Sequence, residues 1–171
     1  SLFVLAVVMG GLYYFFPTAD NSGYQPTQPI PFSHKLHAGT NKIDCKYCHV
    51  GATKSRHASV PAMNICMNCH QVVKLDSPHI QKLREHYSSG KPIEWVRVHE
   101  LPDFVYFSHR PHVSNGVSCE TCHGDVQSMD KVYQAQPLTM GWCVQCHRGE
   151  TTPRKVLAKI HPDKELSLIH I

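Results

Sequence analysis

Four copies of the pattern Cys–X–X–Cys–His contain all eight cysteines of this 171-residue chain. They lie at residues 45–49, 66–70, 119–123 and 143–147. In such a motif each thiol can bond to one vinyl group of a porphyrin, and the adjacent imidazole can coordinate the iron. The sequence therefore predicts four covalently bound haem c groups. The attachment cysteines are Cys45, Cys48, Cys66, Cys69, Cys119, Cys122, Cys143 and Cys146, and the proximal iron ligands are His49, His70, His123 and His147.

Two other kinds of cysteine site compete with this interpretation. Seventeen residues separate Cys48 from Cys66 and twenty separate Cys122 from Cys143, and both spacings occur in zinc ribbons. Paired cysteines also form disulfides in oxidising compartments. Neither zinc binding nor disulfide formation requires a histidine directly after every second cysteine, so the pattern favours haem.

An internal repeat contains four of the ten histidines that lie outside the motifs. Residues 32–37 read Phe-Ser-His-Lys-Leu-His before the first motif, and residues 107–112 read Phe-Ser-His-Arg-Pro-His before the third. Histidines three residues apart are neighbours on a helical turn, so one turn can reach two irons. The predicted distal ligands are His34, His37, His109 and His112.

Further candidates for a distal position lie outside the repeat. His99 follows an apolar stretch between the two repeats, where it is suited either to ligation or to packing. Met140 stands three residues before Cys143 and could supply a thioether, which raises a haem's reduction potential. Met63 holds the equivalent position and is expected to pack, and His57 is a weaker candidate. The remaining histidines, expected at the surface, are His79, His86, His161 and His170.

The composition sets the class of protein. Charged residues make up 18% of the chain and the formal net charge is +4 without a basic run, which argues against nucleic-acid binding. The hydrophobic content of 42% argues against a disordered chain. Four porphyrins leave little room for a side-chain core in a chain of this length. We therefore expect a mostly irregular chain with short α-helices, built around four haems.

The N-terminal residues differ from the rest. Residues 1–16 carry no charge and end in aromatic side chains, which favours a transmembrane signal-anchor helix, with a buried core helix as the alternative. Without an initiator Met or a basic segment, the beginning of this helix is expected to be missing. Haem attachment takes place outside the cytoplasmic membrane, so we expect a single-pass anchor in a bacterial inner membrane and a periplasmic haem region.

The chain divides into six predicted segments. A Ser77 cap, Pro78 and a terminal Gly90 predict a helix between the two repeats, and an alternating apolar stretch after it predicts extended chain. The segments are a transmembrane signal-anchor helix (1–17), a Pro-rich linker (18–31), a first di-haem module (32–76), a connecting helix and extended segment (77–104), a second di-haem module (105–150) and a C-terminal tail with one short helix (151–171).

Several stretches resemble a known family. The pattern Phe-Ser-His-X-X-His followed by Cys-X-X-Cys-His is similar to the class III multihaem cytochromes, the c3 and c7 group. Residues 95–103 (WVRVHELPD) and 140–148 (MGWCVQCHR) are more specific. Together with the N-terminal anchor they resemble the pentahaem cytochrome c subunit of alternative complex III, over residues 30–150.

The resemblance implies a class III-like fold and a place in a quinol-oxidising respiratory complex. The implied partners are an iron–sulfur protein, quinol-binding integral membrane subunits, and a downstream periplasmic cytochrome or terminal oxidase. One haem of that family has His/Met ligation, which favours Met140. The family also carries a fifth motif near its C-terminus, which is absent from this sequence. A fifth haem is expected only if the chain continues past Ile171, and His99 is then a candidate ligand for it.

The predicted function is electron transfer within a complex, not catalysis by this chain alone. An iron with two axial side chains has no open position for a substrate. The alternatives are a tetrahaem periplasmic quinol dehydrogenase, a multihaem reductase and an extracellular conducting cytochrome. The first two require a haem whose distal ligand is weak or absent, and the third requires a cleaved signal.

Overall fold

The computed structural model describes residues 2–15 and 20–148. Within these ranges the chain is helical or irregular and contains no β-strand. The α-helices are α1 (Leu2–Phe15), α2 (Cys45–Cys48), α3 (Met63–His70), α4 (Pro78–Ser89), α5 (His109–Ser114), α6 (Cys119–His123) and α7 (Met140–Arg148), with a π-helical turn at Lys35–Thr40 and a 3₁₀ turn at Val126–Ser128. The expected mixture of short helices and irregular chain is confirmed for this part of the protein.

Four of these helices carry the cysteine motifs. In α2, α3, α6 and α7 the two cysteines of each motif stand three residues apart, and residues at this spacing share one side of a helix. Asp44 caps α2, because its carboxylate accepts a hydrogen bond from the Lys46 backbone N–H at 2.7 Å. Each motif therefore presents both thiols in one direction.

Helix α1 covers most of the predicted anchor. It runs from Leu2 to Phe15 without a charged residue, and the side chains near its start are exposed to solvent, Leu2 by 86% and Phe3 by 78%. None of the helices in the described ranges is both long enough and apolar enough to cross a membrane. Residues 1, 16 and 17 of the predicted span lie outside the described residues.

Helix α4 confirms the helix predicted between the two repeats. Pro78 occupies its first turn, and Gly90 ends it with a φ of 69° in the left-handed region. Its Leu83 side chain is buried in a small apolar core. The other buried members are Ile30, Met67 and Ile93, and the partly buried side chains packed against them are Met63, Cys66, Ile80 and Trp95. This core joins the linker, α3, α4 and the segment that follows α4.

The segment after α4, predicted to be extended, forms no β-strand. Its backbone hydrogen-bonds to a side chain and not to the backbone of a neighbouring strand. The Gln28 amide donates to the Val96 carbonyl at 2.8 Å and accepts from the Val96 N–H at 2.9 Å. One glutamine side chain therefore replaces the neighbouring backbone that a strand would need. The predicted short helix in 151–171 lies outside the described residues.

A fully buried glutamine ties the linker to the second module. Gln134 has no exposed surface. Its backbone pairs with Gly23 and Tyr24, and its side-chain oxygen accepts from the Glu100 N–H at 2.9 Å. Its side-chain nitrogen donates to the Pro137 carbonyl at 3.3 Å. Since a buried amide is stable only when its donors and acceptors are paired, this position fixes three segments together.

Candidate haem-binding sites

Each of the four predicted distal histidines faces one of the four motif histidines. We number the pairs as site 1 (His34 and His49), site 2 (His37 and His70), site 3 (His109 and His123) and site 4 (His112 and His147). Their ring centroids are 6.5, 6.2, 6.3 and 6.0 Å apart in that order. The two repeats use the same rule: the first histidine of each repeat faces the first motif of its module, and the second histidine faces the second motif.

The separation of the facing rings fits an iron ion between them. Metal–imidazole bonds are about 2 Å long, so two imidazoles on one metal have centroids about 6 Å apart. Direct aromatic contact is closer, as the 4.3 Å separation of Phe32 and His37 shows. The residues present therefore fit bis-imidazole ligation of a haem at all four sites.

The planes of the facing rings divide the sites into two kinds. At sites 1 and 3 the rings are nearly parallel, with interplanar angles of 3° and 4°. At sites 2 and 4 they are strongly inclined, at 62° and 85°. Sites 1 and 3 therefore form one geometric class and sites 2 and 4 another, in agreement with the internal repeat.

Backbone carbonyls fix the tautomer of five of these eight imidazoles. A carbonyl only accepts hydrogen bonds, so an Nδ1 beside one carries the proton and leaves the Nε2 lone pair free for a metal. The contacts are His37 Nδ1 to Ser33 O at 2.8 Å, His49 Nδ1 to Ser59 O at 2.6 Å, His70 Nδ1 to Val73 O at 3.1 Å, His109 Nδ1 to Arg56 O at 2.9 Å, and His112 Nδ1 to Ser108 O at 2.8 Å. This arrangement is typical of metal-ligating histidines.

Burial favours the neutral form of two of these imidazoles. Desolvation, together with the smaller effect of neighbouring imidazoles, lowers the pKa of His34 to about 4 and that of His123 to about 3. Burial also lowers the pKa of His147. A protonated imidazole cannot bind a metal, so the protein environment favours the form that ligates iron.

Comparison with known proteins agrees with this geometry. Residues 105–163 match the family described as cytochrome c7 and related cytochrome c. The chain is also 32% identical over 168 residues to the multihaem cytochrome c subunit of menaquinone reductase from Nitratidesulfovibrio vulgaris, a match that covers 86% of this chain and 78% of that relative. The chain belongs to this multihaem cytochrome c family. Covalently bound haem c and a role in electron transfer follow from membership.

In this multihaem cytochrome c all eight cysteines lie within the described residues and none is joined to another in a disulfide, so the disulfide alternative finds no support. Across the described ranges, no three Cys, His, Asp or Glu side chains converge as a metal-ion site would require. The cysteine pairs therefore lack the tetrahedral arrangement of a zinc ribbon.

The phenylalanine of each repeat has a role that the sequence alone did not reveal. Phe32 lies edge-on to His34 at 4.8 Å and is stacked on His37 at 4.3 Å. Phe107 likewise lies edge-on to His109 at 4.9 Å and is tilted over His112 at 4.7 Å. One phenylalanine thus braces both distal histidines of its module. The repetition of Phe before each Ser-His was the signal that could have revealed this role.

His99 lies beside site 3 and does not face another imidazole across a gap. Its ring meets His123 edge-to-face, with centroids 4.3 Å apart and an angle of 87°. His123 also faces His109, at a centroid distance of 6.3 Å. The Nε2 atom of His99 is buried without a hydrogen-bond partner, as is Nδ1 of His34.

The other candidates fall in several environments. Met140 is the first residue of α7, the helix that also carries His147, and His147 already faces His112. Met63 packs against the small apolar core, as expected. His57 and His79 are exposed, and His86 is half-buried with its Nδ1 3.2 Å from the Lys91 carbonyl. His161 and His170 lie outside the described residues.

Proposed function

We propose that this multihaem cytochrome c binds four haem c groups, one at each of sites 1 to 4, with two histidines on every iron. The facing pairs of imidazoles carry this proposal, because their separations of 6.0 to 6.5 Å leave room for one metal ion each. The attachment thiols lie on α2, α3, α6 and α7, and the proximal histidines lie on the same helices or, for His49, directly after the helix. His99 and Met140 then serve by packing, and neither occupies an axial position.

The proposed role is to relay electrons rather than to convert a substrate. Haem c, when bound, supplies one-electron redox chemistry. With a histidine on each side, each site would leave a bound iron no open position for water or a substrate. The protein contributes ligand type, tautomer, ring orientation and burial, and these set the reduction potential of each site.

We further propose that the relay works within a membrane-bound quinone-linked complex of the alternative complex III type. The specific stretches at residues 95–103 and 140–148 support this assignment, and a 32% identical relative is named as a menaquinone reductase subunit. The proposed partners are an iron–sulfur protein, quinol-binding membrane subunits and a downstream cytochrome or oxidase. The uncharged, exposed surface of α1 is the proposed attachment to the inner membrane, with the haem region in the periplasm.

Two directions of electron flow are consistent with these partners. The resemblance to alternative complex III favours flow away from a quinol, whereas the name of the relative favours flow toward menaquinone. Mixing the purified complex with a reduced quinol analogue separates them, since rapid haem reduction supports the first direction. Rapid haem oxidation by the corresponding quinone supports the second.

The experiment that tests the haem sites combines haem counting with a distal-ligand substitution. Pyridine haemochrome assay and intact mass of the holoprotein are expected to give four haems per chain. His37→Ala removes one distal imidazole and is expected to turn one of the four haems high-spin. His57→Ala, a substitution at an exposed histidine, is the control and is expected to leave all haems low-spin. A high-spin haem in the unsubstituted protein contradicts the proposal and favours a quinol dehydrogenase or reductase.

A further inference from the structure

We propose that the two modules join through their first haem sites, so that the four sites form one line in the order 2–1–3–4. Sites 1 and 3 lie together at the centre of this line, and sites 2 and 4 form its ends. The inference rests on the proposed function, since it requires a haem at each site. Its basis is the set of contacts that connect one module to the other.

Among the backbone hydrogen bonds that cross between the modules, two lie at equivalent positions of the repeat. The Lys35 N–H donates to the Met129 carbonyl at 3.0 Å, and the Arg110 N–H donates to the Ser55 carbonyl at 3.3 Å. Lys35 and Arg110 each follow the first histidine of their repeat, and Ser55 and Met129 each lie seven residues after the second cysteine of their module's first motif. The modules therefore hold each other reciprocally, as the two copies in a symmetric dimer do.

These bonds place the distal turn of each module against the loop that follows the first motif of the other. The Ser33 hydroxyl donates to Asp130 at 2.7 Å, and Lys35 forms an ion pair with the same carboxylate at 3.3 Å. On the opposite side of the joint the Arg56 guanidinium donates to the Phe107 carbonyl at 3.0 Å. The contacts of the joint are thus concentrated around the first sites of both modules.

One ligand of site 3 is oriented by the other module. His109 Nδ1 donates to the Arg56 carbonyl at 2.9 Å, and its backbone N–H donates to the same oxygen at 3.1 Å. Arg56 belongs to the loop after the motif of site 1. The tautomer and ring position of His109 therefore depend on the loop that follows the motif of site 1. The two sites must be neighbours for this contact to form.

The distal turn of each module joins its two sites. His34 faces His49 of site 1, and His37, three residues later, faces His70 of site 2. His109 and His112 join sites 3 and 4 in the same way. Site 1 thus borders sites 2 and 3, and site 3 borders sites 1 and 4.

His99 occupies the joint and has no counterpart in the repeat. It lies edge-to-face on His123 of site 3, with ring centroids 4.3 Å apart. An electron that enters at one end of the line must pass this joint to reach the other end.

Nuclear Overhauser spectroscopy of the fully reduced holoprotein tests the order. Ferrous low-spin haems are diamagnetic, and contacts between each haem and its own cysteine β-protons identify it without any substitution. We expect inter-haem contacts for the pairs 2–1, 1–3 and 3–4. A direct contact between the haems of sites 2 and 4, or lack of contact between those of sites 1 and 3, would overturn the proposed order.

The outcome also separates this inference from the proposed function. Four six-coordinate haems in a different order leave the relay intact and refute the order alone. Fewer than four haems, or a haem without a second histidine, refutes both. A substitution that removes the attachment cysteines of site 3, Cys119→Ala with Cys122→Ala, provides a second check. It should leave the 2–1 contact in place and isolate the haem of site 4.

Discussion

Gly39 is the residue at which a single added methyl group should strain the joint between the modules. It lies in the π-helical turn Lys35–Thr40, which follows His34 and contains His37. A β-carbon at this position would overlap the backbone carbonyl of Gln127 in the 3₁₀ turn of the second module. Since the obstacle is backbone and not a flexible side chain, either the two turns move apart or the clash persists.

The cost of Gly39→Ala follows from the contacts that it opposes. Overpacking at a rigid contact costs about 1–3 kcal/mol. The nearby backbone hydrogen bond from Lys35 to Met129 contributes about 1 kcal/mol. The Lys35–Asp130 ion pair joins side chains that are 58% and 70% exposed, so it contributes at most about 1 kcal/mol. The clash therefore equals or exceeds either of these two contacts.

Denaturant unfolding followed by haem absorbance measures this effect. We expect Gly39→Ala to lower the free energy of unfolding by about 1–3 kcal/mol and to perturb the low-spin spectrum of the first module. Gly141→Ala is the matched control, because a β-carbon there would meet no protein atom within 4 Å, apart from its own helix and chain neighbours. Alanine at a helical glycine leaves stability unchanged or raises it by up to about 1 kcal/mol. Equal stabilities of the two variants would refute the reasoning about the joint.

Three further predictions concern local stability and pH. Asp44→Ala removes the cap of α2 and should lower the free energy of unfolding by about 0.5–2 kcal/mol. Ser118→Ala should cost less in the same denaturant titration, because the Ser118 hydroxyl pairs with Thr121 Oγ1 and does not cap α6. Leu83→Ala opens the small core and should cost about 2–5 kcal/mol, against no more than about 0.5 kcal/mol for the exposed Val72→Ala. Finally, burial holds the pKa of His34 at about 4 and that of His123 at about 3, below the unfolded value of about 6.5. The unfolded chain binds these protons first, so the free energy of unfolding should fall as the pH drops from about 6.5 towards 4; a flat profile in denaturant titrations at successive pH values contradicts this.

Most of the candidate site could be predicted from the motifs, because the residues that attach one haem are close together in the sequence. Spacing placed Cys45 and Cys48 on one side of α2. It also predicted that His34 and His37, three residues apart, reach different sites. In the structure they face His49 and His70 respectively, and their ligation of iron stays a prediction. Short-range spacing is thus enough to select histidines that the fold brings face to face.

The sequence could not show how the modules meet, because that depends on contacts between distant residues. Nothing near His109 in the chain indicates that the Arg56 carbonyl orients its ring. The ring angles were equally hidden, although Phe32 and Phe107 recur in the repeat. The alternating stretch after α4 predicted extended chain, and its partner proved to be the side chain of Gln28. Tertiary packing determined each of these features.

Low-temperature electron paramagnetic resonance of the fully oxidised holoprotein tests the central claim most directly. When the two imidazole planes are parallel, the two iron d orbitals that interact with the ligands differ in energy. When the planes are perpendicular, these orbitals are nearly equal in energy. The angles of 3° and 4° at sites 1 and 3 therefore predict two rhombic low-spin signals. The angles of 62° and 85° at sites 2 and 4 predict two highly anisotropic low-spin signals. Four low-spin haems in these two classes support bis-histidine ligation at every site, and a high-spin ferric signal from the intact protein would contradict it.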